Sequence, residues 1–442
     1  MQFCPPGERI GRVMMRADAI CDSRMPLRVS AVLSLAIFIG QFASLGYCRP
    51  VGDSFALLES SFEQGRANMK EVATEVTQLH EREYFNVWGL DFSPDGKYLA
   101  SSSPSSHEIH VWDWRNRRIV RTFEKIRQGS SSIMSTEPVR FSPDGRWLAT
   151  CHGRADHYVV ARIWNANTGE IVRDIDEPNG GECKAIGFTP DGKSFIWVSD
   201  RSANLPGDHL IVYSTATWQR LWGLRTAPFY PNTLAISPDG KSIAIGGSTI
   251  GPGIPTQHQV LIVDMAEHAV VRTIRAFPTS KKFAMESTIE RLAWTPDGMY
   301  IAVGARVTGT YRPEARPDAV FESNEMRPDA IRIFDTHSGE QVASETPVKY
   351  ARIWALRYTP DGKYLIESAF SPGSEESSAP RRELLRTDSM PRTVESVIRI
   401  WDGEHRRLLQ EISGAAGSAA VTRDGHYLAL GGDGMIFIFK LK

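Results

Sequence analysis

Cys151, His152 and His157, with Cys183 further along, are the soft and imidazole donors that could hold zinc or run a thiol couple. Their spacing matches no standard zinc pattern, so the expected reading is a thiol at a strand end with two exposed imidazoles. Cys151 and Cys183 are the only cysteines outside the first fifty residues. Two separately buried thiols are the favoured expectation for them, and a bond between them in an oxidising compartment is the alternative. His107 and His110 stand three apart in a strand-like run and point to opposite faces, which makes a poor metal pair. Seven aspartates, at 95, 144, 191, 239, 297, 361 and 424, would resemble a calcium site if gathered together, but each sits in a turn phrase and is expected to form that turn. Asp91, Arg140 and Arg357 precede three of those phrases and are expected at a channel or a seam, charge-paired. No nucleophile elbow, phosphate loop, HExxH helix, EF-hand loop or CxxC pair occurs. No catalytic, cofactor-binding or metal-binding residue is therefore assigned.

The remaining chemistry is that of recognition. Tyr311, Arg312, Arg316, Phe321 and Arg327 fall in one long insertion, 305–329, and Phe370, Arg381, Arg382, Arg386 and Arg392 in another, 368–396. Aromatic and guanidinium groups are the side chains that anchor protein interfaces. These ten are the candidate partner-binding residues, with solvated insertion as the alternative, because Ser371 to Pro380 has a low-complexity Ser/Glu/Pro composition.

The elements that must carry these insertions are legible from one phrase. Phe92-Ser93-Pro94-Asp95-Gly96 returns as Phe141-Ser142-Pro143-Asp144-Gly145, and again around Asp191, Asp239, Asp297, Asp361 and, worn, as Val421-Thr422-Arg423-Asp424-Gly425. Pro presets φ at the second turn position and Gly supplies the φ > 0 that follows, so each copy is a hairpin turn after an apolar strand. In the first repeat Trp88, Leu90 and Phe92 alternate into the turn and Tyr98-Leu99-Ala100 leads out. Ile109 to Trp114 and Ile119 to Phe123 then make a third and a fourth antiparallel strand. The last repeat supplies only three strands before Lys442, while Glu71 to Leu79, with Val72, Thr74, Val76 and Leu79, is a strand outside the first repeat. Pairing the two removes an exposed edge. The distance from turn Asp to the end of the third strand is 17 residues for Asp95 to Trp112 but 37 for Asp297 to Phe334 and 40 for Asp361 to Trp401. The extra length therefore lies between second and third strands, with a shorter Gly/Pro-rich one at 248–258.

The third strands end in Val111-Trp112-Asp113, Ile163-Trp164-Asn165, Val212-Tyr213-Ser214, Ile262-Val263-Asp264, Ile333-Phe334-Asp335, Ile400-Trp401-Asp402 and Ile438-Phe439-Lys440. Here residues 71–442 resemble the WD40-repeat β-propellers in a degenerate, bacterial-type form. The resemblance implies an all-β, seven-bladed β-propeller of four-stranded antiparallel blades, its ring closed by the N-terminal strand and its second-to-third-strand loops on one face. No Gly-His pair precedes the first strands and a literal Trp-Asp occurs only twice. The His, Ser/Thr, Asp, Trp hydrogen-bond network of regular WD40 blades is accordingly expected to be missing.

Residues 1–48 differ in character: arginines to Arg28 precede an uncharged stretch, 29–47, in the order of a signal peptide, with a start at Met25 giving a compact one. Cleaved export is favoured over a short membrane anchor, and 49–70 reads as a linker. A charge of −1, from 51 basic and 52 acidic residues, supplies no field for nucleic acid or an anionic membrane. The expected protein is an exported (periplasmic, secreted or envelope-associated), monomeric, non-catalytic scaffold without cofactor, binding a protein or peptide through the face that bears the long loops. The alternative is a propeller enzyme, a lactonase-like hydrolase or oxidoreductase subunit, with its site at the channel mouth.

Overall fold

The computed structural model describes residues 71–442 apart from 81–86, 103–107, 124–138, 154–158, 176–182, 200–206, 252–253, 278–283, 311–330, 346–351, 372–394, 405–406, 414–416 and 433. The expected leader, its expected cleavage site and the expected linker lie outside the described residues. Among the described residues twenty-eight strands form seven four-stranded antiparallel sheets. Six blades run consecutively: β2–β5 (Gly89 to Phe123), β6–β9 (Val139 to Ile175), β10–β13 (Cys183 to Leu224), β14–β17 (Phe229 to Phe277), β18–β21 (Ala284 to Glu345) and β22–β25 (Arg352 to Ser413). The seventh takes β26 (Ala419–Val421), β27 (Tyr427–Gly431) and β28 (Met435–Leu441) from the carboxyl end and β1 (Ala73–His80) from the amino end. The first strands of neighbouring blades touch one another around a complete cycle, so they line the axis and the fourth strands form the rim.

The repeated phrase explains itself locally. In all seven turns the Ser or Thr hydroxyl donates to the Asp Oδ1 at 2.5–2.7 Å. That oxygen also accepts the backbone N–H two residues on, as from Lys97 to Asp95 at 3.1 Å, while Ser93 Oγ accepts the Tyr98 N–H at 2.9 Å. The seven glycines have φ of 66 to 73°. Each of them also faces the preceding blade: a Cβ on Gly145 would lie 3.5 Å from Pro94, and Gly192, Gly240, Gly298, Gly362 and Gly425 meet the preceding proline likewise. Gly96 closes this circle against the Thr422 methyl, since Arg423 replaces the proline there. The phrase is thus both a turn and a blade-to-blade contact.

Cations and N–H groups converge on these aspartates. Burial pulls the Asp424 carboxyl up, but the Thr422 hydroxyl and the His426 N–H and imidazole outweigh it and hold it at about 2. Asp191 and Asp239 are lowered by the Thr189 and Ser237 hydroxyls and by the backbone N–H groups of Lys193 and Lys241. A carboxyl lowered in the folded state contributes stability above its unfolded value, and that contribution is lost as pH falls through the folded one. Unfolding midpoints in urea should therefore drop steeply between about pH 4 and pH 2, and Asp424→Ala should flatten part of that drop. A variant with an unchanged acid profile would show that this carboxylate carries none of it.

Every rim strand carries a one-residue bulge at an equivalent place, and the extra residue is aliphatic in all seven: Val76, Val120, Val172, Leu221, Val271, Val342 and Leu409. Bulges twist an edge strand, which disfavours edge-to-edge pairing along rims that carry strand-forming side chains.

The third-strand Asp or Asn caps the next turn, as in Asp335 Oδ1 accepting from His337 at 2.8 Å and Ser338 at 2.7 Å. The expected loss of the blade network is corrected in part. Trp112 Nε1 donates to Ser101 Oγ and Trp164 Nε1 to Thr150 Oγ1, both at 2.9 Å, and Trp401 Nε1 donates to Glu367 Oε2 at 3.0 Å. These pairs occupy equivalent positions in blades 1, 2 and 6, with His110, Arg162 and Arg399 directly across the ladder.

Candidate partner-binding face

The turn phrases occupy one face of the ring; the starts of the first strands and the second-to-third-strand connections share the other. On that second face the blades are unequal. β15 (Ser242–Gly251), β16 (Ile254–Asp264), β18 (Ala284–Trp294) and β19 (Tyr300–Thr310) have 10 or 11 residues against 5 in β3 (Tyr98–Ser102) and β4 (Ile109–Asp113). Nearly all of the stretch 248–258 expected as loop is therefore strand, as are 305–310, 368–371 and 395–396 at the roots of the two long insertions. The Gly/Pro-rich stretch of blade 4 is a hairpin in which Gly251 pairs with Ile254. β23 (Tyr364–Ser371) and β24 (Glu395–Asp402) likewise pair out to Ser371 and Glu395.

Of the ten candidate partner-binding residues only Phe370 lies within the described residues, in β23 between Arg352 and Ser396. Tyr311, Arg312, Arg316, Phe321, Arg327, Arg381, Arg382, Arg386 and Arg392 lie outside them, on the insertions that leave β19 and β23. Both insertions are thereby rooted on this face.

A feature that sequence reasoning missed surrounds the channel mouth. Seven residues ahead of the turn Asp stand Trp88, Lys184, Asn232, Glu290, Trp354 and Gly417 in six of the blades, while the corresponding Glu137 of blade 2 lies outside the described residues. In blades 3 to 6 this residue is the extra one of an inner-strand bulge: Lys184, Asn232, Glu290 and Trp354 are skipped where the first strand pairs with the second. A bulge re-aims a side chain, here at the axial edge. Its sequence signal was the constant offset from the turn Asp, hidden because residue type varies from blade to blade. The Trp88 and Trp354 rings meet at 5.8 Å across blade 7, tilted by 50°. Blade 7 carries Gly417 at the equivalent position, where a Cβ would come within 2.5 Å of Gly431 O. The mouth is thus aromatic over blades 6, 7 and 1 and polar over blades 3 to 5.

Links from blade to blade fix this end. Asn232 Nδ2 donates to Ile289 O at 2.8 Å, Arg291 Nε to Trp354 O at 2.7 Å, and the Gly417 N–H to Ser368 Oγ at 3.2 Å. Asp91, expected at a channel or seam, is at the seam: its Oδ2 accepts the Phe141 N–H at 2.7 Å. Arg140 donates to Val139 O at 3.0 Å. Between blades 2 and 3 the link is covalent, since Cys151 and Cys183 form a disulfide with Cα atoms 6.0 Å apart. This corrects the expectation of separate thiols: β7 (Trp147–Gly153) and β10 (Cys183–Phe188) place both residues in one buried cluster. His110, expected as a surface or packing residue, is buried edge-on to Trp112, with Nε2 3.4 Å from Glu108. In the blade 4 hairpin Ser248 Oγ lies 2.9 Å from His258 Nδ1, and burial lowers the pKa of that imidazole. Among the described residues no three His, Cys, Asp or Glu side chains are grouped to hold a metal ion.

The model of the WD domain, G-beta repeat, matches residues 74–113 and 121–160. Each match begins in a rim strand, β1 or β5 (Arg118–Phe123), and ends at or within the third strand of the following blade. Among curated relatives, Protein HIR1 of Gibberella zeae is 27% identical over 251 residues, 52% of this chain and 23% of its own length. SEC12-like protein 1 of Arabidopsis thaliana is 26% identical over 208 residues, 47% of this chain and 46% of its own. The chain thus covers less than half of the length of these relatives. Kuenenia stuttgartiensis hydrazine synthase superposes with a TM-score of 0.59 at 18% identity, over 81% of this chain and 97% of that one, a likeness of fold alone. A repeat that starts on the rim strand of one structural blade and finishes inside the next requires an N-terminal strand to complete the last blade; with β1 doing so, the chain is a WD40-repeat-like, seven-bladed β-propeller.

Proposed function

We propose that this protein is an exported, monomeric, non-catalytic scaffold that presents the loop-bearing face to a protein or peptide partner. WD40 propellers generally bind protein partners. The observation that carries the choice of face is its one-sided growth: the longest strands of blades 4 and 5 and the insertions after β19 and β23 all leave the ring at the end where the bulged residues surround the channel mouth. The ten aromatic and arginine residues named above serve as anchors there. Export is supported by the order of the leader and by a disulfide in the body, a bond that persists in oxidising compartments.

Replacing 372–394 by a short Gly/Ser link should leave the melting temperature within about 2 °C, because the ends sit on paired strands. Photo-crosslinkers placed at 312 and 386 of the full chain in the native host should capture one and the same partner, and the crosslinker at 312 should no longer capture it in the shortened protein. Equal capture from a crosslinker at Lys241, on the turn face, would overturn the choice of face. Amino-terminal sequencing of native protein should find a start between Ala43 and Cys48, whereas an intact leader in the cytosolic fraction would remove export.

A further inference from the structure

We propose that the Cys151–Cys183 bond is a redox-sensitive clamp on the channel mouth, whose reduction releases the start of the blade 3 inner strand and with it the bulge at Lys184. The inference goes beyond partner binding and does not need the partner. Three observations carry it. Cys183 is the first residue of β10, pairing with Ser199, and the bulge follows at once, with Lys184 skipped before Ala185 meets Val198. At this end of the ring the links described above between other blades are hydrogen bonds, whereas blades 2 and 3 are joined by a covalent bond across 32 residues of chain. The two cysteines are 2% and 1% exposed, packed with Ala149, Ile163, Ile175 and Ile186 in one cluster. A strand end tied by its first residue loses its anchor when that tie is cut, and a bulge one residue away is free to relax.

The chemistry balances with a dithiol reductant. One thiolate attacks a protein sulfur, the S–S bond breaks, and the second thiol of the reductant closes on the mixed disulfide. The protein gains two electrons and two protons as Cys151 and Cys183 thiols, and the reductant leaves as a cyclic disulfide. Because both sulfurs are buried, attack waits for local opening of the strand start, so reduction should be slow in the native protein and fast in urea.

The test uses the full chain, oxidised and then treated with dithiothreitol under native conditions, with the bond mapped by peptide mass before and after alkylation. Hydrogen exchange should accelerate on the order of tenfold for amides 183–188 after reduction, while 289–294 and 353–358 in blades 5 and 6 keep their rates. The Cys151→Ser, Cys183→Ser double variant should reproduce the reduced pattern, and if it does not fold the reduced native chain carries the test alone. Unchanged protection at 183–188 in protein shown to be reduced would overturn the clamp. So would an equal acceleration in every blade, which would make the bond a general brace, or two free thiols in protein from the native source.

Discussion

Deleting residues 49–80 should lower the unfolding free energy by roughly 5 kcal/mol or more, whereas deleting 49–70 alone should leave it unchanged. β1 buries Ala73 and Leu79, and Val72 just before it, at 1–2% exposure, and the apolar transfer of those side chains alone amounts to about 4 kcal/mol. The strand also ladders along β28 from Ala73 opposite Leu441 to His80 opposite Met435, so its loss bares the edge of the last blade. Closure is fastened beyond the ladder. Gln410 of blade 6 accepts the Val72 and Ala73 N–H groups on one Oε1 at 2.8 and 2.7 Å and donates to Ala73 O at 3.0 Å. Lys442 N–H donates to Val72 O at 3.0 Å. Gln410→Ala should therefore reproduce part of the loss, about 1–3 kcal/mol, by leaving two buried N–H groups unpaired. Denaturant titration of the two deletions decides the matter: equal midpoints would mean that the ring holds without its closing strand.

That closure was legible because two incomplete patterns, a last repeat one strand short and a lone β-branched strand ahead of the first, complete each other. The blades were legible for a similar reason, since the turn phrase must satisfy a local backbone geometry and so survives as residue types. The candidate site was not. Its inner-strand bulges demand only an extra residue at the axial edge, and lysine, asparagine, glutamate and tryptophan all meet that demand at 184, 232, 290 and 354, leaving no signature in composition. The disulfide was left open because the distance between Cys151 and Cys183 depends on how two blades fan about the axis, which spacing along the chain does not set. The partial blade network was missed at Glu367, where a carboxylate takes the place of the hydroxyls of Ser101 and Thr150.

Glu367 should also be the most costly single position in the core of blade 6. Its Oε1 accepts from Arg399 Nη1 at 3.1 Å and its Oε2 from Trp401 Nε1 at 3.0 Å, while Arg399 Nε donates to Glu411 Oε2 at 3.1 Å. Glu367 and Arg399 are 3% and 8% exposed, so neither charge can turn to water if the other is removed. Arg399→Met and Glu367→Leu should each cost about 3–5 kcal/mol, and the double variant much less than their sum, because two apolar side chains remove both desolvation penalties together. Additive losses would show that the pair does not act as a unit. The pH dependence follows with its sign. Burial pushes the Glu367 carboxyl above its ordinary 4.5, against the Arg399 charge and the hydrogen bonds from Trp401 and Arg399. A carboxyl raised in the folded state contributes stability below its unfolded value, and that contribution is lost as pH rises through the folded one, the reverse of the turn aspartates. Removing Arg399 takes away the opposing charge and raises the folded value further. Arg399→Met should therefore lose stability more steeply than the wild type between about pH 5 and pH 8, and an identical pH slope in the two proteins would mean that water reaches Glu367.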